Sequence, residues 1–300
     1  LLTIIIFNTF KTDVFCKNNE VTEMNQPDSH KLSLNTATVR QRWKLDQIVE
    51  GCARHEIRGI APWRDQVQAL GLKESARLIR HHDLILSGYC RGGMFPGSTP
   101  EERREKALDN RRAVDEALEL GAPCLVLVVG GLPAGSKDLP GARQQVRDGL
   151  SELLDYARPL GMPLAIEPLH PMYAAERACV NTLAQANDLC DELGDEGLGI
   201  AVDLYHTWWD PQFQQQIERA GLRRLLAFHI CDWLAPTTDM LLDRGMMGDG
   251  VIDIRGFRQA IEALGYTGLH EVEIFSQNNW WQRDPDEVLA ICKQRHREFG

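Results

Sequence analysis

From Lys31 to the C-terminus the chain repeats one pattern eight times: a short apolar run, then a longer segment with apolar residues at helical spacing. The runs read as strands are Lys31–Leu34, Ile57–Ala61, Asp83–Ser87, Cys124–Val129, Leu164–Pro168, Gly199–Asp203, Leu226–His229 and Glu271–Phe275. Between and after them, helices are expected over Arg42–Arg54, Gln66–His81, a long segment opened by Thr99-Pro100, Gly141–Leu160, Thr182–Leu193, Pro211–Ala220, Asp253–Leu264 and Asp284–Glu298. Strand and helix in alternation, without runs of hairpins, predict an all-parallel sheet, because parallel neighbours need a crossover and a helix is the usual one. Eight such units over roughly 280 residues suit a closed (β/α)8 TIM barrel, for which roughly 250 residues are typical, better than an open doubly wound sheet. The expected fold is therefore α/β, with residues 24–300 as a single barrel domain and no low-complexity linker to divide it.

Four of these runs end in a side chain suited to holding a metal. They are Leu164-Ala-Ile-Glu-Pro168, Gly199-Ile-Ala-Val-Asp203, Leu226-Ala-Phe-His229 and Glu271-Val-Glu-Ile-Phe275. Side chains alternate along a strand, so Glu167 shares a face with Ala165, Asp203 with Ala201, and His229 with Ala227. A small residue beneath a polar one is what strands converging on a narrow barrel mouth require. Singly, a carboxylate at a strand end is more often a helix cap. Several carboxylates facing one cavity are a different matter, because burying them together is costly unless a cation or shared protons neutralise them. Glu271 and Glu273 both face inward, but Glu273 lies about 6.6 Å nearer the mouth at ~3.3 Å per residue. Glu271 then sits one layer deeper and needs a buried base or hydrogen-bond donors as partner.

The formal charge of −10 disfavours an electrostatic nucleic-acid binder, which needs a basic face for phosphates. A small polar substrate is the better expectation. The eight cysteines form no CxxC pair and most sit in apolar runs, the usage of reduced thiols in a cytoplasmic protein. Residues 1–23 read as a non-native or disordered extension ahead of Met24. Its run Leu1–Phe7 is too short to span a bilayer and has no basic residue before it, so no membrane association is expected.

In such a barrel the chemistry sits where the loops leave the C-terminal ends of the strands. Trp63, Arg91, His170, Trp208 and Arg244 fall in those loops. Aromatic rings pack against the C–H faces of sugars, and arginine offers fixed donors to substrate oxygens. The glycine clusters at Gly88–Gly97 and Gly130–Gly135 match neither phosphate-binding fingerprint. Between His229 and the helix expected at Asp253 the connection exceeds the usual 2–6 residues. It is expected to form a lid in which Met240, Leu241, Met246 and Met247 close over the substrate while Arg244 reaches an oxygen.

The combination Ile166-Glu-Pro168, Val202-Asp-Leu-Tyr-His-Thr-Trp-Trp-Asp-Pro211, His229-Ile-Cys-Asp232, Arg244 ahead of Gly248–Asp253, and Val272-Glu-Ile-Phe-Ser276 resembles the xylose isomerase-like TIM-barrel superfamily, in its sugar isomerase/epimerase branch. The resemblance is specific from about Pro163 to Phe275. It implies a single-metal site of Glu167, Asp203, His229 and Glu273, with Glu167 and Glu273 also catalytic and His206 and Arg244 on the substrate; Trp63, Arg91, His170 and Trp208 are expected as further substrate contacts from their loop positions. Three carboxylates and one imidazole suit Mn²⁺ or Mg²⁺, with Co²⁺ or Zn²⁺ able to substitute. The implied activity is isomerisation or epimerisation of a sugar, keto-sugar or inosose by proton transfer through an enediolate. The alternative is an inosose dehydratase-type lyase on the same metal. A small-molecule partner is expected, with neither nucleic acid nor membrane, and a homo-oligomer of two or four copies is compatible.

Overall fold

In the computed structural model, residues 27–300 are described, so the expected extension at 1–23 lies outside them. Eleven strands follow in order: β1 (Leu32–Asn35), β2 (Gly59–Ala61), β3 (Ile85–Leu86), β4 (Tyr89–Gly93), β5 (Leu125–Val128), β6 (Leu164–Ile166), β7 (Leu198–Asp203), β8 (Leu225–Ile230), β9 (Asp232–Trp233), β10 (Arg244–Gly245) and β11 (His270–Val272). The helices are α1 (Leu45–Arg54), α2 (Arg64–Leu70), α3 (Leu72–His81), α4 (Pro100–Leu120), α5 (Leu139–Ala157), α6 (Leu183–Leu193), α7 (Leu204–Thr207), α8 (Phe213–Arg224), α9 (Ile254–Ala263) and α10 (Pro285–Phe299). Nine strands form one parallel sheet in the order β3-β2-β1-β11-β8-β7-β6-β5-β4. Its two ends, β3 and β4, are separated only by Ser87 and Gly88, and a bridge from Trp63 to Cys90 links the extension of β2 to β4. The sheet thus curls into the eight-stave barrel expected, with its third stave in two pieces.

That broken stave departs from the expected strand at Asp83–Ser87. The chain enters through Asp83 at φ +53°, pairs with β2 over two residues, then resumes over Tyr89–Gly93, where a loop was expected. The glycines make the second piece possible. A Cβ on Gly93 would lie 2.1 Å from the Val128 carbonyl oxygen, and one on Gly92 would lie 2.9 Å from Leu127 Cδ2. Only bare backbone approaches β5 this closely. The single helix expected over Gln66–His81 is likewise two, α2 and α3, broken at Gly71 with φ +101°.

Elsewhere the local chemistry behaves as anticipated. Thr99 caps α4 by accepting from the Glu102 amide, Pro100 takes the first helical position, and Gly121 ends the helix in the left-handed region. Asp138 caps α5 through the Gly141 amide, which starts that helix two residues before Gly141. Apolar side chains of the described residues form three bodies, the smallest being Ala37, Phe275 and Trp281. A large one fills the space between staves and helices, and a small one inside the barrel comprises Cys90, Cys124, Val126, Ala165, Ala201 and Ala227. The three alanines read from the sequence as making room under the ligands all belong to this inner layer. No helix of the described residues is long and apolar enough to cross a membrane.

Because the inner layer is closely packed, Ala201→Leu should overfill it. A loss of about 1–3 kcal/mol is expected, read as a lower urea midpoint at unchanged slope. An unaltered midpoint would show that the barrel floor has slack.

Candidate metal and active site

Register sets the base of the site. Asp203 pairs with His229 across β7 and β8, and His229 with Glu271 across β8 and β11, so the three side chains form one row on the barrel's inner face. Glu167 follows β6 directly and Glu273 follows β11. His229 Nδ1 lies 2.9 Å from Glu167 Oε1. Ligand-type atoms of Glu167, Asp203 and His229 all fall within 4.8 Å of one another, and all three residues are buried. Glu273, expected as a fourth ligand, stands apart from this trio. Its Oε2 accepts from Arg244 Nη1 at 2.9 Å and its Oε1 from Asn35 Nδ2 at 3.0 Å.

Glu271 has the partners that its depth demanded. Its carboxylate accepts from Asn35 Nδ2 at 2.7 Å and Ser87 Oγ at 2.8 Å, and its Oε2 lies 3.5 Å from His229 Nε2. The His229 ring is therefore held between two carboxylates, Glu167 at Nδ1 and Glu271 at Nε2. A carboxylate behind a histidine fixes the ring so that its other nitrogen faces a metal.

Arg244 links the remaining parts. It rises from β10, which pairs antiparallel with β9 at the base of the long loop, and its guanidinium lies against the rings of Tyr205 and Phe275. Besides Glu273 it approaches Asp203 Oδ2 and His206 Nε2, at 3.4 and 3.3 Å. Asp203 Oδ1 caps α7 through the Tyr205 amide, and the single turn that follows returns His206 to the site, its Nε2 3.8 Å from Asp203 Oδ2. This is the structural reason for the three-residue spacing between that Asp and His.

Dehydration governs the charge states. Burial raises Glu273 to about 7 in spite of Arg244, and raises Asp203 to about 6. Burial alone would lower His229, but the carboxylates of Glu271, Glu167 and Asp203 outweigh it and hold the ring protonated up to about 10. His206 behaves oppositely: burial, reinforced by Arg244, drives it well below the ordinary histidine value and leaves it neutral.

Above this base lies a cavity lined by Trp63, Arg91, Glu167, Arg177, His206 and Arg244 together with Tyr173, Leu241, Glu273 and Phe275. It has about 20 Å³ of free space, room for little more than one water at ~10–15 Å³ each. A sugar enters only if a wall moves. Leu241, in the long loop, is the wall best placed, and Tyr205 Oη ties the neighbouring Met240 carbonyl at 2.8 Å. Met246 and Met247, expected in the lid, are instead fully buried in the outer core, because the chain has already turned inward at β10.

His170 and Trp208 are not among the residues lining that cavity. His170 stacks on Trp233 and accepts from the Met172 amide, and Trp208 packs beside Trp233. Both belong to an aromatic group at the rim. Trp63 does line the cavity and donates from Nε1 to Asn35 Oδ1 at 2.8 Å. Asn35 and Arg177 were not singled out in the sequence. Asn35 ends an apolar run as the four ligand candidates do, which is a usable signal. Arg177 lies in a polar loop and offers none.

The donor set fits a divalent cation. Two carboxylates and an imidazole already converge, with His229 Nδ1 turned toward Glu167 and Nε2 backed by Glu271, and a third carboxylate stands beside them on Arg244. Oxygen-rich donors with one nitrogen suit Mn²⁺, Mg²⁺ or Zn²⁺.

Comparison with known proteins gives the family and the fold. A profile of the xylose isomerase-like TIM barrel family matches residues 49–292. The inosose isomerase of Bacillus velezensis is 24% identical over 277 residues, 88% of this chain and 95% of that protein. The 3-dehydroshikimate dehydratase of Pseudomonas putida is 30% identical over 186 residues, 58% of this chain and 27% of that protein. Among solved structures, protein SMc04130 from Sinorhizobium meliloti 1021 has a TM-score of 0.89 at 57% identity, covering 91% of this chain and 99% of that one. The IolI protein, crystallised with a bound zinc atom, has a TM-score of 0.77 at 20% identity, covering 90% and 97%, which is a likeness of fold.

The pKa directions carry a prediction. In metal-free protein Asp203, Glu273 and His229 all bind protons more tightly folded than unfolded. Their stabilisation is present in acid and is lost as pH rises through about 6 for Asp203, about 7 for Glu273 and toward about 10 for His229. A cation must displace those protons, so its affinity should rise with pH over the same range. The increase in Tm on adding Mn²⁺ should accordingly be small near about pH 5.5 and grow through about pH 8, followed by scanning calorimetry. An increment independent of pH would contradict the ligand set.

Proposed function

Because the chain belongs to the xylose isomerase-like TIM barrel family, we propose that it is a divalent-metal-dependent isomerase or epimerase of a sugar, keto-sugar or inosose. The observation that carries this is the placement of its carboxylates. Of Glu167, Asp203, Glu271 and Glu273, all buried, only Glu167 and Glu273 line the cavity, and three strand steps separate their staves. They flank whatever occupies the space between, while Asp203 and Glu271 lie outside its lining.

A divalent cation held by Glu167, Asp203 and His229, with Glu273 joining them, would supply Lewis acidity, polarising a substrate carbonyl so that the adjacent C–H becomes acidic. The chain's own residues do the rest. Glu273, which burial pushes up to about 7 when no metal is bound, would take or return a proton through the carboxylate oxygen it does not give to the cation, because coordination lowers its basicity. For epimerisation Glu167 serves one face of the reacting carbon and Glu273 the other. For aldose–ketose isomerisation one of them serves both steps. Arg244 and neutral His206 bind the substrate oxygens, and Asn35 keeps the Glu273 carboxylate aimed inward. Leu241 excludes water once the loop is down.

The dehydratase relative gives a second reading: the same proton removal beside a carbonyl, followed by loss of hydroxide. Turnover in D₂O separates the two by their products. Isomerisation or epimerisation leaves solvent deuterium at the reacting carbon of a product isomeric with the substrate, whereas dehydration gives an unsaturated ketone. Glu167→Gln and Glu273→Gln should each lower kcat by roughly 10²–10⁴. Complete retention of substrate hydrogen, with none taken from solvent, would rule out proton transfer. Glu271→Gln, which keeps the shape behind His229 but loses the charge, should weaken Mn²⁺ binding by roughly 10–100-fold by calorimetric titration. Unchanged affinity would assign Glu271 to packing alone.

A further inference from the structure

Several arginines withdrawn from water in this chain meet carboxylates. Arg64 bridges Asp109 and Glu116, Arg224 meets Asp191, and Arg244 meets Glu273. Arg91 and Arg177 depart from the pattern. Both are half-buried, both line the cavity, and neither has an ion pair or side-chain hydrogen bond among the described residues. Each instead lies against one aromatic ring, Arg91 over Trp63 and Arg177 over Tyr173. Arg91 Nε is buried without a partner. The two guanidiniums come from different staves, Arg91 from β4 and Arg177 from the loop after β6, and they are close enough for Arg177, after burial, to be the main influence opposing the charge on Arg91.

Two like charges turned into one cavity, neither in direct contact with a carboxylate, repel one another until something negative sits between them. The charge balance says how much is missing. With a divalent cation bound and His229 neutral, the four negative charges of Glu167, Asp203, Glu271 and Glu273 would meet two from the cation and three from Arg91, Arg177 and Arg244, leaving one positive charge uncompensated. Arginine is also the side chain whose fork matches the paired oxygens of carboxylate and phosphate.

We propose that Arg91 and Arg177 form a receptor for an anionic group on the substrate, a carboxylate or a phosphate, at the end of the molecule away from the reacting carbonyl. This rests on the cavity being a sugar site. The substrate class is thereby narrowed from neutral sugars to sugar acids or sugar phosphates.

The test uses the full chain loaded with Mn²⁺ and three ketoses that differ only at C6: D-fructose, D-fructuronate and D-fructose 6-phosphate, with affinities measured by calorimetry. At least one anionic ketose should bind tenfold or more tighter than fructose, and which one does so identifies the group. The ratio of fructose Kd to that of the preferred anion should fall at least fivefold in both Arg91→Gln and Arg177→Gln, with partial recovery in Arg177→Lys. Equal affinity for all three, or a preference that survives both substitutions, overturns the anion receptor while leaving the sugar site standing. Binding that ignores Mn²⁺ for all three overturns the sugar site, and the receptor with it.

Discussion

The structure depends on the burial of four carboxylates in one barrel mouth. Ionised carboxylates withdrawn from water repel one another at short range, and solvent no longer screens them. Without a metal the protein offers three remedies at once: Arg244 against Glu273 and Asp203, a protonated His229 between Glu167 and Glu271, and elevated proton affinities on Asp203 and Glu273. In the proposed metal site a divalent cation would replace the second and third together, freeing Arg244 in part from its role as counter-ion and leaving His229 neutral with a carboxylate behind it. The atoms that make the metal-free site expensive are the ones proposed to hold the cation.

This arrangement needs space and rigidity, and both come from the layer below. Ala165, Ala201 and Ala227 keep the barrel floor narrow enough for staves on opposite sides to bring their ends together. The row Asp203–His229–Glu271 is held by strand register, so those positions are as firm as the sheet. Arg244, His206 and Leu241 come from connections beyond the strand ends. The proposed ligands are thus set by the sheet, and the side chains around them by the connections that follow it.

Much of this was legible in the chain because strand alternation is a strong constraint. Once Glu167, Asp203 and His229 were placed at strand ends, their facing was settled by counting from the alanines, and that of Glu273 by its place two residues after Glu271. The departures have physical causes. The third stave was obscured because β4 owes its path to glycines, which carry no apolar signal, and the break between α2 and α3 hung on one residue, Gly71. Met246 and Met247 read as lid residues because the pair β9 and β10 is only two residues long on each side, too short to register as strands, yet it turns the chain back into the core. The role of Glu271 was invisible because Asn35 and Ser87, which hold it, lie far away in sequence. Asn35 illustrates the general limit: a polar residue ending a strand announces that it faces the site, but its partners are decided by closure of the barrel.

Whether the carboxylates gather around one cation can be observed directly by anomalous diffraction from crystals of the protein grown with Mn²⁺. The expected result is a single strong peak about 2 Å from Glu167, Asp203 and His229 Nδ1, with Glu273 turned from Arg244 to become the fourth protein ligand. No peak in the barrel mouth, or a peak elsewhere with Glu273 still paired to Arg244, would contradict the assignment of this site as a metal centre.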